Sequence, residues 1–172
     1  TTFFPSLEFL DFAFSVFWIV FVINAVNFTD VCDGLVGGIS TITFLVIGFW
    51  VLQFMIFCVL MSGVTAGFLF FNLHKASIFL GDAGSHLLGF LIAALGIFGG
   101  NKLHIIDAGV WMSLIAAVPL FELLFLTVVR MQKGKNITHG SPDHFSLRLQ
   151  KAGFTRLQIV GMACLVTTIT TT

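Results

Sequence analysis

This chain of 172 residues predicts an all-α fold, a polytopic transmembrane helical bundle, on three observations. Hydrophobic residues make up 58% of the sequence and charged residues 9%. With a mean hydropathy of +1.06, that is more apolar surface than one soluble core of this size can hide. The apolar residues, 22 Phe among them, run in long stretches broken by short polar islands. Ionisable groups near bilayer depth are kept where they face water, a metal or a partner, so the islands mark the candidate site.

A crossing helix needs about 20 mostly apolar residues. The first such window runs from Leu10 to Asn27 and ends in the island Asn24-Ala-Val-Asn27-Phe-Thr-Asp30-Val-Cys-Asp33-Gly34. Leu35 to Asn72 is apolar throughout but too long for one crossing at about 1.5 Å per residue. It predicts two, with a turn near Met61-Ser62-Gly63 and Gln53 softening the boundary. The second island, Phe79-Leu-Gly81-Asp82-Ala-Gly84-Ser85, precedes an apolar helix from His86 to Phe98, with Ser85 a candidate N-cap. Ala108 to Val129 predicts a span kinked at Pro119. Arg130 to Arg156 is the extended hydrophilic segment, and Leu157 opens a last, truncated span, for about five full spans before it. The chain starts Thr1-Thr2-Phe3 and stops within an apolar run, which predicts a single membrane-domain fragment over 1–172.

Six basic residues, Arg130, Lys133, Lys135, Arg148, Lys151 and Arg156, fall in the one long loop, against Lys102 in the loop before it. The positive-inside rule makes the 130–156 loop cytoplasmic, and counting spans backwards brings both polar islands to the same face. An integral inner-membrane protein with its site on the cytoplasmic face is the expectation. The net charge of zero gives no sign of nucleic acid as a partner. Cys32, Cys58 and Cys164 are scattered without metal-ligand spacing and read as small core residues.

Asn24, Asn27, Asp30 and Asp33 recur every third residue, so a continuing helix puts them on one slowly drifting stripe. Two amides and two carboxylates can bind a metal, a sugar or a base edge; they can equally be helix-end residues facing headgroups or solvent. Gly34, Gly37 and Gly38 suit close helix approach as well as ligand contact. Asp82, between two glycines at a helix start, lies where free N–H groups and the positive dipole end favour phosphate oxygens. With the carboxylate pair nearby it suggests Mg²⁺, which takes one or two carboxylates plus substrate phosphates. His74 and Lys75 have headgroup contact as their simpler reading, and His104 reads as an outer-loop residue. Glu122, in mid-helix near Pro119, demands a partner or the neutral form, and the sequence assigns it no role.

These residues resemble the polyprenyl-phosphate N-acetylhexosamine-1-phosphate transferases, the family that includes phospho-N-acetylmuramoyl-pentapeptide transferase. Asn24-Ala-Val-Asn27-Phe-Thr-Asp30-Val-Cys-Asp33-Gly34-Leu35 is similar to the family's Asn-Ala-x-Asn-x-x-Asp-Gly-x-Asp-Gly-Leu. Asn72-Leu-His-Lys-Ala76-Ser-Ile78-Phe79-Leu-Gly81-Asp82-Ala-Gly84-Ser85 is similar to its Asn-x-x-Pro-Ala-x-x-Phe-x-Gly-Asp-x-Gly-Ser, and Ser141 to Leu149 to its His-rich loop. Val31 replaces a usual Gly and Lys75 a usual Pro, and the loop carries His139 and His144 instead of adjacent histidines.

The resemblance implies Mg²⁺, or Mn²⁺, at Asp82 and Asn27, with Asp82, Asn27 and His144 in catalysis. It implies Asn24, Asp30, Asp33, Asn72, His139 and Arg148 in substrate binding. The substrates it implies are a UDP-N-acetylhexosamine and a polyprenyl phosphate, giving the polyprenyl-diphosphate sugar and UMP, and it allows a homodimer. The family's upstream Asp-Asp-x-x-Asp motif is absent, so the chain corresponds to the second half of a member, expected to be inactive alone. Two rival readings are an ion- or proton-coupled transporter fragment, whose acids would sit near the midplane in repeated halves, and a noncatalytic scaffold.

Overall fold

A computed structural model describes residues 8–73, 76–100, 103–134 and 143–171. Among them the chain forms eight α-helices and no strand: α1 (Glu8–Thr29), α2 (Leu35–Trp50), α3 (Met55–Asn72), α4 (Gly81–Gly100), α5 (Ile105–Ile115), α6 (Ala117–Gln132), α7 (Phe145–Lys151) and α8 (Arg156–Thr171). The all-α polytopic membrane fold is as predicted. The number of full crossings is smaller. Glu8–Thr29, Leu52–Asn72 and Gly81–Gly100 are long and apolar enough to span a bilayer, and the bent pair α5 and α6 makes a fourth if counted as one. At 16 residues each, α2 and α8 reach about 24 Å, short of a hydrocarbon core of about 30 Å.

The long apolar stretch after Gly34 turns nine residues earlier than the sequence suggests. The break is a 3₁₀ turn at Leu52–Phe54, around Gln53, whereas Met61, Ser62 and Gly63 lie inside α3. Ser62 Oγ donates to the Thr41 carbonyl at 3.0 Å, and the Thr41 and Thr65 hydroxyls are hydrogen-bonded at 3.0 Å. Those polar side chains glue α3 to α2 and do not mark a surface turn.

The predicted kink is also resolved differently. The chain breaks at Ala116 and α6 leaves α5 at 83°, so Pro119 sits in the first turn of α6 and does not kink a continuous span. A helix's first N–H groups have no intrahelical acceptor, so proline's missing donor takes nothing away there. Ser85 likewise is no N-cap: α4 already begins at Gly81.

α1 packs on α4 and α6, α2 lies among α3, α4 and α8, and α5 rests on α4 and α8. The core is built from Val22 and Val26 of α1, Phe44 and Ile47 of α2, Ile92 of α4 and Met112 of α5. Phe9, Phe12 and Phe17 of α1 and Ile56, Leu60 and Val64 of α3 face outward, an exposure that an apolar solvent favours.

The α1–α4 contact depends on Gly89, where a Cβ would sit 2.8 Å from Ile23 Cα and 3.3 Å from the Val22 carbonyl oxygen. Because backbone atoms line that gap, Gly89→Ala should destabilise the detergent-solubilised full-length protein by about 1–3 kcal/mol. Gly63→Ala, which meets nothing within 4 Å, should stay within about 0.5 kcal/mol of wild type. Thermal unfolding of the two variants side by side checks this.

Candidate active site

The polar islands meet at one end of the bundle because the C-terminal ends of α1, α3 and α6 and the N-terminal ends of α2, α4 and α8 lie there together. α1 stops at Thr29, so the Asn/Asp stripe does not continue as a helix: Asp30 and Asp33 sit in the turn that leads to α2. Gly34 closes that turn with φ +83°, a left-handed conformation that side chains with a Cβ resist. Its N–H donates to Asn72 Oδ1 at 2.6 Å, and Asn72 Nδ2 donates to the Ile78 carbonyl at 2.8 Å. One buried amide at the end of α3 therefore latches the first island to the loop before the second.

Asn27 joins the two islands directly. Its Nδ2 donates to Asp82 Oδ1 at 3.2 Å and to Ser85 Oγ at 3.0 Å, while the Ser85 hydroxyl donates back to the Asp82 carbonyl at 3.2 Å. Asp82 is exposed in the first turn of α4. Asn24 is exposed, and its amide donates to the Val20 carbonyl of its own helix at 2.7 Å.

Three carboxylates share this end. Asp33 pairs with Arg156 at the start of α8. Asp30 is held above the usual carboxylate range, first by burial and then by the neighbouring charges of Asp33 and Asp82. A neighbouring cation would offset the shift by opposing charge. Among the described residues no three His, Cys, Asp or Glu side chains form a metal cage. The exposed Asp82 carboxylate offers a hard oxygen of the kind Mg²⁺ or Mn²⁺ takes, and Asn27 turns its Nδ2 towards it.

The basic segment approaches the same end. Gln150 of α7 donates to Cys32 Sγ at 3.1 Å in the turn after α1, and Arg130, 2% exposed near the end of α6, lies over the Phe28 ring at 5.8 Å. Arg148 sits 5.1 Å over the Phe125 ring and 3.5 Å from Asp143 Oδ1, which Lys133 also meets. His144 is not a surface histidine: it is 5% exposed, and its Nδ1 lies 3.2 Å from Oε1 of Glu122. His139, His74 and Lys75 lie outside the described residues. Gln150 was not singled out by the sequence, and Arg130, Arg156 and Glu122 were named there without their partners. A lone Arg or Glu carries no local pattern that names a partner many residues away.

Asp30 yields a stability prediction with a definite sign. A carboxyl whose folded value is raised carries no penalty below its unfolded value of about 3.9, and a growing one as pH rises through the folded value. In chelator, Asp30→Asn in the full-length protein should unfold at a higher temperature than wild type at about pH 8. That advantage should shrink towards about pH 4, and a constant difference would contradict it.

Residues 2–100 match the family described as glycosyl transferase family 4. Among curated proteins the chain is 32% identical over 153 residues to a probable undecaprenyl-phosphate N-acetylglucosaminyl 1-phosphate transferase of Bacillus subtilis, covering 86% of this chain and 43% of the relative. It is 35% identical over 162 residues to a phospho-N-acetylmuramoyl-pentapeptide-transferase of Microcystis aeruginosa, covering 87% and 45%. A Listeria welshimeri protein of the same name is 38% identical over 141 residues, covering 79% and 43%. The chain spans less than half the length of each of these relatives. With the family matched over more than half of the chain and relatives above 30% identity across most of it, this chain belongs to glycosyl transferase family 4.

Proposed function

We propose that the full-length protein transfers an N-acetylhexosamine 1-phosphate from a UDP-sugar to a polyprenyl phosphate. A lipid phosphate oxygen attacks the sugar-bearing phosphorus, the bond to the UMP oxygen breaks, and polyprenyl-diphosphate sugar and UMP result. The observation that carries the reading is the Asn27 bridge to Asp82 and Ser85, which joins two family motifs into one polar cluster. The names of the relatives supply the reaction class.

Phosphoryl transfer is chiefly positioning and charge neutralisation, and the residues divide along those lines. Asp82 and Asn27 would hold Mg²⁺, or Mn²⁺ in its place, which when bound screens the diphosphate's charge. The free N–H groups at the start of α4 favour phosphate oxygens beside Asp82. Asp30 and Asp33 line the nucleotide-sugar side. Asn72 positions the turn that carries them, because both ends of its amide are committed to backbone. Asn24 lies at the rim. His144 and Arg148, with His139, serve the diphosphate or sugar from the basic segment, where cationic groups absorb developing charge.

The gathering of basic residues at this end supports a site on the cytoplasmic face of the inner membrane, where UDP-sugars are soluble and the lipid phosphate is in reach. A homodimer is compatible with the outward apolar faces of α1 and α3.

The test is UMP release by the full-length protein in proteoliposomes containing polyprenyl phosphate, with UDP-N-acetylhexosamine and Mg²⁺ supplied. Asp82→Ala should lower turnover by about a thousandfold or more while the protein remains folded. Near wild-type turnover in that variant would refute the assignment, and solute uptake without UMP release would favour transport.

A further inference from the structure

Glu122 lies outside the residues assigned above, yet it is 3% exposed, and a buried carboxylate needs partners. It has two, both at the start of α7. Its Oε1 accepts the Phe145 N–H at 2.9 Å and lies 3.2 Å from His144 Nδ1. The Phe145 bond is well formed, whereas His144 Nδ1 is enclosed at ion-pair distance and is not aligned for a hydrogen bond. Among the described residues, the other carboxylate beside this segment, Asp143, is met by Lys133 and Arg148.

We infer that Glu122 is a positioning residue for the transfer reaction: from α6 it fixes the ring of His144 at the mouth of the site. The inference rests on the reading of His144 as a substrate-contacting group. Catalytic hydrogen bonds that are poorly aligned without substrate tighten when it binds, and a carboxylate drawn onto imidazole Nδ1 settles the tautomer and ring orientation and leaves Nε2 for the substrate, the relation by which carboxylates orient histidines in many active sites. α7 has a separate anchor. Phe145 packs edge-on against Phe121 and Phe125, with centroids 5.1 and 5.2 Å apart, and Arg148 stacks over Phe125. Loss of the Glu122 charge therefore leaves α7 docked while freeing the ring. Placement on α6 also has geometric sense, because the 83° break at Ala116 turns the helix that carries Glu122 towards the segment it holds.

The experiment uses the full-length protein with Glu122→Gln, Glu122→Ala, His144→Asn and the Glu122→Gln/His144→Asn pair. Glutamine still offers an oxygen to the Phe145 N–H but no charge to the imidazole. Glu122→Gln should keep wild-type hydrogen–deuterium exchange over residues 145–151 and lose about tenfold to a hundredfold in kcat with little change in KM. Glu122→Ala should raise exchange there. The double variant should be no slower than His144→Asn alone, since residues acting through one another are not additive. Wild-type kcat in Glu122→Gln, a multiplicative double variant, or loss of α7 protection in Glu122→Gln together with the fall in kcat would each overturn the inference. No UMP release from the wild-type protein would instead sink the transferase reading itself.

Discussion

Like charges brought together at the end of an apolar bundle repel, and this chain brings three carboxylates to one end. Each is accommodated differently. Asp33 has a guanidinium, Arg156; Asp82 has the Asn27 amide and open solvent; Asp30, half-buried, has no such side-chain partner among the described residues and is pushed towards its neutral form. An unneutralised acid in a folded protein raises the free energy of the fold unless something arrives to use it. Under the proposed function, a cation arriving with an anionic substrate would relieve that repulsion.

Holding such a cluster requires rigid joints, and they are side-chain amides instead of charges. Asn27 and Asn72 each span two segments far apart in sequence, and each can donate and accept without adding to the negative field. Ion pairs at the rim are more exposed: Arg148 and Lys133 with Asp143, and Arg156 with Asp33, all have one partly solvated partner. Solvent and salt weaken such pairs, so geometry rests on the amides and the buried Glu122, while the surface cations adjust the field.

Most helices and the meeting of the two polar islands at one end were legible, because bilayer length and polar islands are written locally. Leu10 to Asn27 became α1 almost unchanged, and Asn27 and Asp82 came together as two motifs on one face. The turn at Met61-Ser62-Gly63 was misread because small and hydroxyl-bearing residues signal a surface break in water but a helix-packing face in lipid. Pro119 was misread because a proline's effect depends on its place in the helix, and the break at Ala116 has no local marker. Glu122 stayed unassigned for a deeper reason: a buried carboxylate announces that a partner exists without saying which one. Its partner His144 lies 22 residues on in the chain, across the start of a separate helix.

The bond between Asp33 and Arg156 has a consequence for biogenesis. A ribosome delivers Asp30, Asp33 and Asp82 well before Arg156, so during synthesis the acidic end exists without its guanidinium counterion. Insertion of α8, whose length rests against α2, supplies that counterion in the same event that covers Leu35 and Ile39 with Ile159 and Val160. Packing against α2 and pairing of Asp33 thus fall together to α8, which is made after the other described helices. Until it seats, the nascent protein carries Asp33 beside Asp30 without that guanidinium.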